Sequence, residues 1–323
     1  MDRIEKLDAI KGIAIVMVVF GHFIESYANS NEFLKYLYGL IYAVHIPAFA
    51  MAAGVVAKAT MSWNELKKIA RRILLPFIVF NLMYVGFGYA QSGRFTYSTF
   101  TPYWLMWFLL SLTCWRILLP LFASKIGLGT SVAIALAAGW FQSIGYPLTL
   151  SRTLYFLPFF VFGHLYGSML LSTIPKPRTV TSIAAIGLAC AGAVIILITS
   201  GTPLKLFYGS LPYAAGNEIF GTAMRAMLLS LSFGLVLTLT TIPIHFGHLL
   251  RHFGLHSLAI YLGHGFIVLA MRKYMFFTGG TLKLIACSTA ATLVTLLVCC
   301  LLTPALNYLT GVGNKISSKP YTA

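Results

Sequence analysis

The chain is expected to fold as an all-α polytopic membrane protein, a bundle of about ten transmembrane helices with both termini in the cytoplasm. Three observations predict this. Of 323 residues, 59% are hydrophobic and only 9% are charged, whereas soluble domains carry about 25% charged residues. Apolar stretches close to the ~20 residues that span a bilayer recur from end to end. The cations are also unevenly shared between alternate connections. Fourteen of the 23 Lys and Arg residues fall on the side assigned to the cytoplasm and seven on the other, with Arg116 and Arg225 inside spans, a bias that follows the positive-inside rule.

The spans are placed at roughly 10–28, 36–57, 72–90, 103–121, 126–144, 152–171, 179–199, 219–243, 256–275 and 282–308. The first is too long for the apolar core of a signal peptide, starts with charges and is followed by no small-residue cleavage site. The second carries His45 just before Pro47, and the third follows a basic run of Lys58, Lys67, Lys68, Arg71 and Arg72. The fourth contains Cys114 and Arg116, the sixth begins at Arg152 beside Ser151 and contains His164, and the seventh contains Cys190. In the eighth, Arg225 lies about two turns in, on the face of Glu218, and the pair is expected to bracket the outer mouth as one ionic network. The ninth holds His264 and the tenth Cys287, Cys299 and Cys300. Connections of about 4 to 20 residues leave no room for a separate soluble domain. Any chemistry is therefore done in the membrane or at its faces.

The net charge of +16 is mostly topology, so no nucleic-acid partner is expected. The five cysteines lie within spans, lack ligand spacing and read as small apolar fillers. His245, His248, His252 and His256 cluster in an inner loop without acidic or cysteine partners, so no metal is expected there. Neither low-complexity tracts nor a repeat of fixed period is present.

The first span carries the candidate chemistry. Lys11 and His22 are eleven residues apart, about 20° off one helical face and ~16 Å along the axis, and Asp8 falls within about 40° of the same stripe. Glu25, three residues after His22, is within reach of its imidazole. Ionisable groups at such depth usually face a bundle interior or a wet cavity. The plainer alternatives are a helix-start ion pair between Asp8 and Lys11 and a histidine satisfied by a neighbouring carbonyl.

"LDAIKGIAIVMVVFGH" (Leu7–His22) resembles the first-helix signature of the membrane acyltransferase type 3 family, with a subgroup related to fucose 4-O-acetylases the nearest. Further stretches fit in order along the chain: "HIPAFAMAAG" from His45, "KKIARRILLPF" from Lys67, "WFLLSL" from Trp107, "SRTLYFLPFFVFGHLYG" from Ser151 and "SLAIYLGH" from Ser257. Two departures stand out. The family's cytoplasmic R-x-x-R is here Lys68-x-x-Arg71 followed by Arg72, which keeps the charge and loses one bidentate fork. Ala50, Ala52 and Ala53 replace residues that are often aromatic or serine, which implies a pocket of different shape.

The resemblance implies a single integral acyltransferase domain over residues 1–323 in a bacterial inner membrane. Acetyl-CoA would be the acyl donor, with no permanently bound cofactor, and the acceptor would be a hydroxyl of a cell-envelope glycan or its lipid-linked precursor. His22 with Glu25 would do the chemistry, His22 either as general base or as an acylated nucleophile. Asp8, Lys11, Lys67, Lys68, Arg71 and Arg72 would bind the donor; His45, Trp107 and Arg152 would meet the acceptor. Each has a plainer role: the basic run is what an inner loop beside anionic lipid looks like, a terminal arginine snorkels, and His45 satisfies the local break at Pro47. Membrane lipid is the remaining partner. The rival class is a transporter or flippase of a lipid-linked glycan or small anion, which needs neither the first-helix signature nor the basic run. A cytoplasmic acceptor is a third possibility, disfavoured by the depth of His22.

Overall fold

A computed structural model of the chain describes residues 3–94, 98, 100–145, 147–241 and 247–310. Among them every regular element is helical. In order these are α1 (Glu5–Tyr27), α2 (Glu32–Val55), α3 (Trp63–Ser92), α4 (Trp104–Phe122), α5 (Lys125–Trp140), α6 (Pro147–Ser172), α7 (Pro177–Thr199) and α8 (Glu218–Thr241). They are followed by α9 (Gly247–Leu255), α10 (Ser257–Tyr274), α11 (Thr281–Leu301) and α12 (Thr303–Thr310). Eight are long and apolar enough to cross a membrane, and α9 with α10 makes a ninth candidate, bent by 79°. The fifth expected span is α5, apolar but shorter than the others.

Local signals account for the boundaries. Asn31 caps α2 by accepting the Leu34 N–H at 3.1 Å, and Ser124 caps α5 through the Gly127 N–H at 2.9 Å. Ser62 accepts the Glu65 N–H at 3.3 Å, and this Ser-x-x-Glu start begins α3 nine residues before the expected span. The basic run expected in a loop is therefore helical from Trp63 onward, with Arg71 and Arg72 on a π-helical turn at Ala70–Leu74. The histidine run expected as a loop cluster likewise folds as α9 and its bend. His252 and His256 bring their ring centroids to 4.5 Å there; His245 lies outside the described residues, as do Lys315 and Lys319.

The first two helices form the centre. Some 72% of the apolar stretch of each is buried, against 17% for α7, which places α7 at the periphery of the bundle. α1 packs on α2, α9, α10 and α11, and α2 on α6, α7 and α8. Close approach relies on glycine at two contacts. A Cβ on Gly54 would collide with the Phe160 carbonyl, and one on Gly163 with the Met51 carbonyl, so α2 and α6 meet backbone to backbone. Gly12 and Gly254 play the same part between α1 and α9, facing the Leu250 and Asp8 carbonyls.

Arg225 and Glu218 do not form the expected network. Arg225 donates to the Ala135 carbonyl at 3.0 Å and the Leu211 carbonyl at 2.8 Å, with its guanidinium over Tyr213. Glu218 accepts the Gly216 N–H at 3.1 Å. Free carbonyls at helix ends and loops satisfy this buried cation, so it needs no carboxylate.

Candidate active site

The spacing of residues on α1 builds one wall of a cavity. Leu7, Lys11, Val18, His22 and Glu25 all line it, and steps of four, seven, four and three keep them on one helical stripe. The second wall is the matching stripe of α2, with Tyr42, His45, Ile46, Phe49, Ala53 and Val56. Trp104, Trp107 and Leu112 from α4, Arg152 and Phe156 from α6, and Ser257 and Tyr261 from α10 close it. From Leu7 to Glu25 the cavity follows α1 for about 27 Å, close to the ~30 Å thickness of a bilayer core. Its volume of about 490 Å³ spread over that length makes it a narrow passage.

The passage changes character along its length. At one end Lys11 faces it, ion-paired with the buried Asp8 at 2.7 Å. Apolar side chains follow, among them Val18, Ile46 and Phe49. At the other end hydroxyls and charges gather: Glu25, Tyr42, Tyr208, Thr149 and Arg152. Ala52 and Ala53 line the passage while Ala50 is buried in the core, so two of the three alanine departures widen it.

His22 sits where the two regimes meet. Its Nδ1 lies 3.3 Å from Glu25 Oε2. A carboxylate only accepts, so Nδ1 is the donor in this contact, and in the neutral ring that leaves the lone pair on Nε2. Glu25 is held in turn by Arg272, which also donates to the His22 carbonyl at 2.6 Å. The Trp104 ring stands 4.6 Å from the imidazole, and the His264 ring 5.6 Å from it at an interplanar angle of 21°. Trp104 holds φ at +30°, a conformation that a non-glycine residue keeps only where its surroundings dictate it.

Three of the other histidines are anchored at Nδ1 to carbonyls. His45 donates to the Ile41 carbonyl at 2.7 Å, His264 to that of Ile260 at 2.9 Å and His164 to that of Ala57 at 3.0 Å. The carbonyl that Pro47 would leave open is that of Ala43, so the bond to Ile41 does not mend that break. His45 instead turns into the passage with Tyr42 packed edge-on at 4.6 Å. Trp107 and Arg152 line the same end, with the guanidinium 4.8 Å from the indole centroid.

The basic run does not line the passage. Lys67 lies over Trp63 at 5.5 Å, Lys68 pairs with Glu65 at 2.6 Å, and Arg116 reaches the same carboxylate at 3.6 Å. Arg71 and Arg72 are exposed. The run is nonetheless joined to the passage wall, because Ile73 packs into the cluster that also holds Leu112 and Leu258, both of which line the passage.

Sequence reasoning missed Arg272, Trp104, Tyr42 and Tyr208. Arg272 reads in sequence as one of two adjacent cations at a helix end, and nothing local connects it with Glu25, 247 residues away. Trp104 shares its stretch with Trp107, and only the fold tells which indole touches His22.

The passage suits the movement of a small group between two ligands entering from opposite ends, and the carboxylate-held imidazole, when neutral, would supply a lone pair where they would meet. Neither a curated protein nor a solved structure matches the chain. The family model described as an acyltransferase domain matches residues 4–304, nearly the whole chain, and the protein belongs to the acyltransferase 3 family.

Proposed function

We propose that this membrane acyltransferase is an O-acetyltransferase that takes acetyl from cytoplasmic acetyl-CoA and delivers it to a hydroxyl of a cell-envelope glycan or its lipid-linked precursor. The observation that carries the reading is the passage along α1, with a cation at one end, polar and aromatic groups at the other, and His22 between them. In this reading the cation-rich loops are cytoplasmic and the protein sits in a bacterial inner membrane. The phosphates of coenzyme A rest on Arg71, Arg72, Lys67 and Lys68, and Lys11 with Asp8 forms the throat through which the thioester arm descends. The acceptor enters between Trp107, Arg152 and His45.

The chemistry needs one lone pair and one proton acceptor. As general base, His22 Nε2 takes the hydroxyl proton while the hydroxyl oxygen bonds the thioester carbonyl carbon. The C–S bond breaks, and the thiolate recovers the proton from the imidazolium to leave as free coenzyme A. As nucleophile, Nε2 bonds the carbonyl carbon first, expels the thiolate, and then passes the acetyl to the hydroxyl, whose proton goes to the thiolate. Glu25 serves both routes by fixing the tautomer and stabilising the imidazolium, as the carboxylate of a catalytic triad does.

Inverted membrane vesicles fed with acetyl-labelled acetyl-CoA test the reading, with label in envelope glycan measured per mole of membrane-resident protein. Wild-type label that His22→Ala abolishes at normal abundance supports it. Label that survives His22→Ala removes His22 from the mechanism, and no label in wild type, with glycan acceptor present, transfers the case to transport of a glycan or anion.

A further inference from the structure

α1 ends as an α-helix at Ile24 and continues as a 3₁₀ turn over Glu25–Tyr27. Carbonyls in the last turn of a helix lose their partners and attract side-chain cations. The His22 carbonyl is one of them. Arg272, at the far end of α10, donates to it at 2.6 Å, and the same nitrogen bonds the Glu25 carboxylate. The guanidinium lies 5.3 Å from the Trp104 centroid, and that indole packs on the His22 ring. One side chain thus touches the backbone of the reactive histidine, the carboxylate that orients its ring and the aromatic wall behind it.

Resting on the reading that His22 does the chemistry, we propose that Arg272 is a positioning residue. It holds the Glu25 carboxylate against His22 Nδ1 and so aims Nε2 into the passage. Glu25 needs such a holder. It is partly exposed at the end of a helix, its own bond to the imidazole is long at 3.3 Å, and a free carboxylate at a polar mouth would turn toward water. Arg272 does not line the passage, so it acts through Glu25 and not on the substrate. His264, on the same helix, stacks on the His22 ring with centroids 5.6 Å apart, and α10 therefore grips His22 at two points.

The test is a double-mutant cycle on the full-length membrane protein, reading kcat and donor KM for Glu25→Gln, Arg272→Met, the double variant and Arg272→Lys, with His22→Ala as control. Rates are referred to membrane-resident protein. Each single variant is expected to lower kcat by about tenfold to a hundredfold, the loss that small misplacement of a reacting group brings, with donor KM unchanged. The double variant is expected to match Glu25→Gln alone, because Arg272 has nothing left to hold, and Arg272→Lys to recover part of the rate. If Arg272→Met runs at the wild-type rate, or if the two losses multiply, Arg272 is a staple between helices and the proposal fails. Should Arg272→Met not reach the membrane, the same cycle with Arg272→Lys gives the coupling. Full activity in His22→Ala would instead sink the reading beneath the proposal, whatever position 272 does.

Discussion

Under the proposed function Lys11 has two duties that substitution can separate. Its ammonium pairs with Asp8 at 2.7 Å, and the two side chains are 28% and 10% exposed. Removing one partner of a fully buried pair costs about 3–5 kcal/mol, since the other charge is left without compensation. Partial exposure lowers that figure, and for Lys11→Met, which strands the better-buried Asp8, about 2 kcal/mol is expected. Asp8→Asn strands a cation that already faces the passage and its water, so about 1 kcal/mol is expected. The double variant leaves no stranded charge and should recover most of the loss. In the proposed function donor binding follows another order. A cation at the throat contributes a charge-assisted contact to an anionic donor, so Lys11→Met should raise donor KM about tenfold or more, and the double variant should stay impaired. Thermal unfolding midpoints in detergent and donor KM for the four proteins supply both readouts. The reasoning is refuted if Lys11→Met is no less stable than Asp8→Asn, or if the double variant restores donor KM along with stability.

Two further outcomes follow from the packing. Ala53→Trp places an indole in the passage between Lys11 and His22, where no atoms now stand; transfer should fall by more than tenfold while the unfolding midpoint moves little. Gly163→Val forces a side chain against the Met51 carbonyl, and because backbone cannot yield as a side-chain tip can, α2 and α6 must separate. A loss of about 3 kcal/mol or more is expected, seen as reduced membrane abundance and a lowered unfolding midpoint, and normal values for both would show that the two helices tolerate a gap.

What could be read from the sequence was what depends on short-range spacing. Lys11, His22 and Glu25 fall on one stripe because a helix repeats every 3.6 residues, and the structure sets all three on one cavity wall. Hydropathy found the helices because each must bury its backbone bonds within itself. It could not see direction, so the 79° bend between α9 and α10 had no counterpart in hydropathy, and the helical start of α3 was carried instead by the polar Ser62-x-x-Glu65 signal outside the apolar stretch. Charge clustering marked the run from Lys67 to Arg72 without distinguishing its members. All four cations are exposed, but Glu65 captures Lys68 and Trp63 underlies Lys67, a division set by side-chain geometry. Arg272 lay beyond reach because its partner is remote in the chain.

That remoteness has a consequence for biosynthesis. A polytopic chain enters the bilayer from its N-terminus onward, so His22 and Glu25 are in place long before α10 exists. Until then the imidazole lacks Arg272 and His264, and the passage lacks the wall that Ser257 and Tyr261 provide. A half-inserted or truncated chain therefore holds a histidine open to water but no sealed route to it. In the proposed function the last of the walls to arrive also completes the site, so an acyl donor meets no finished site in a nascent chain that could only squander it.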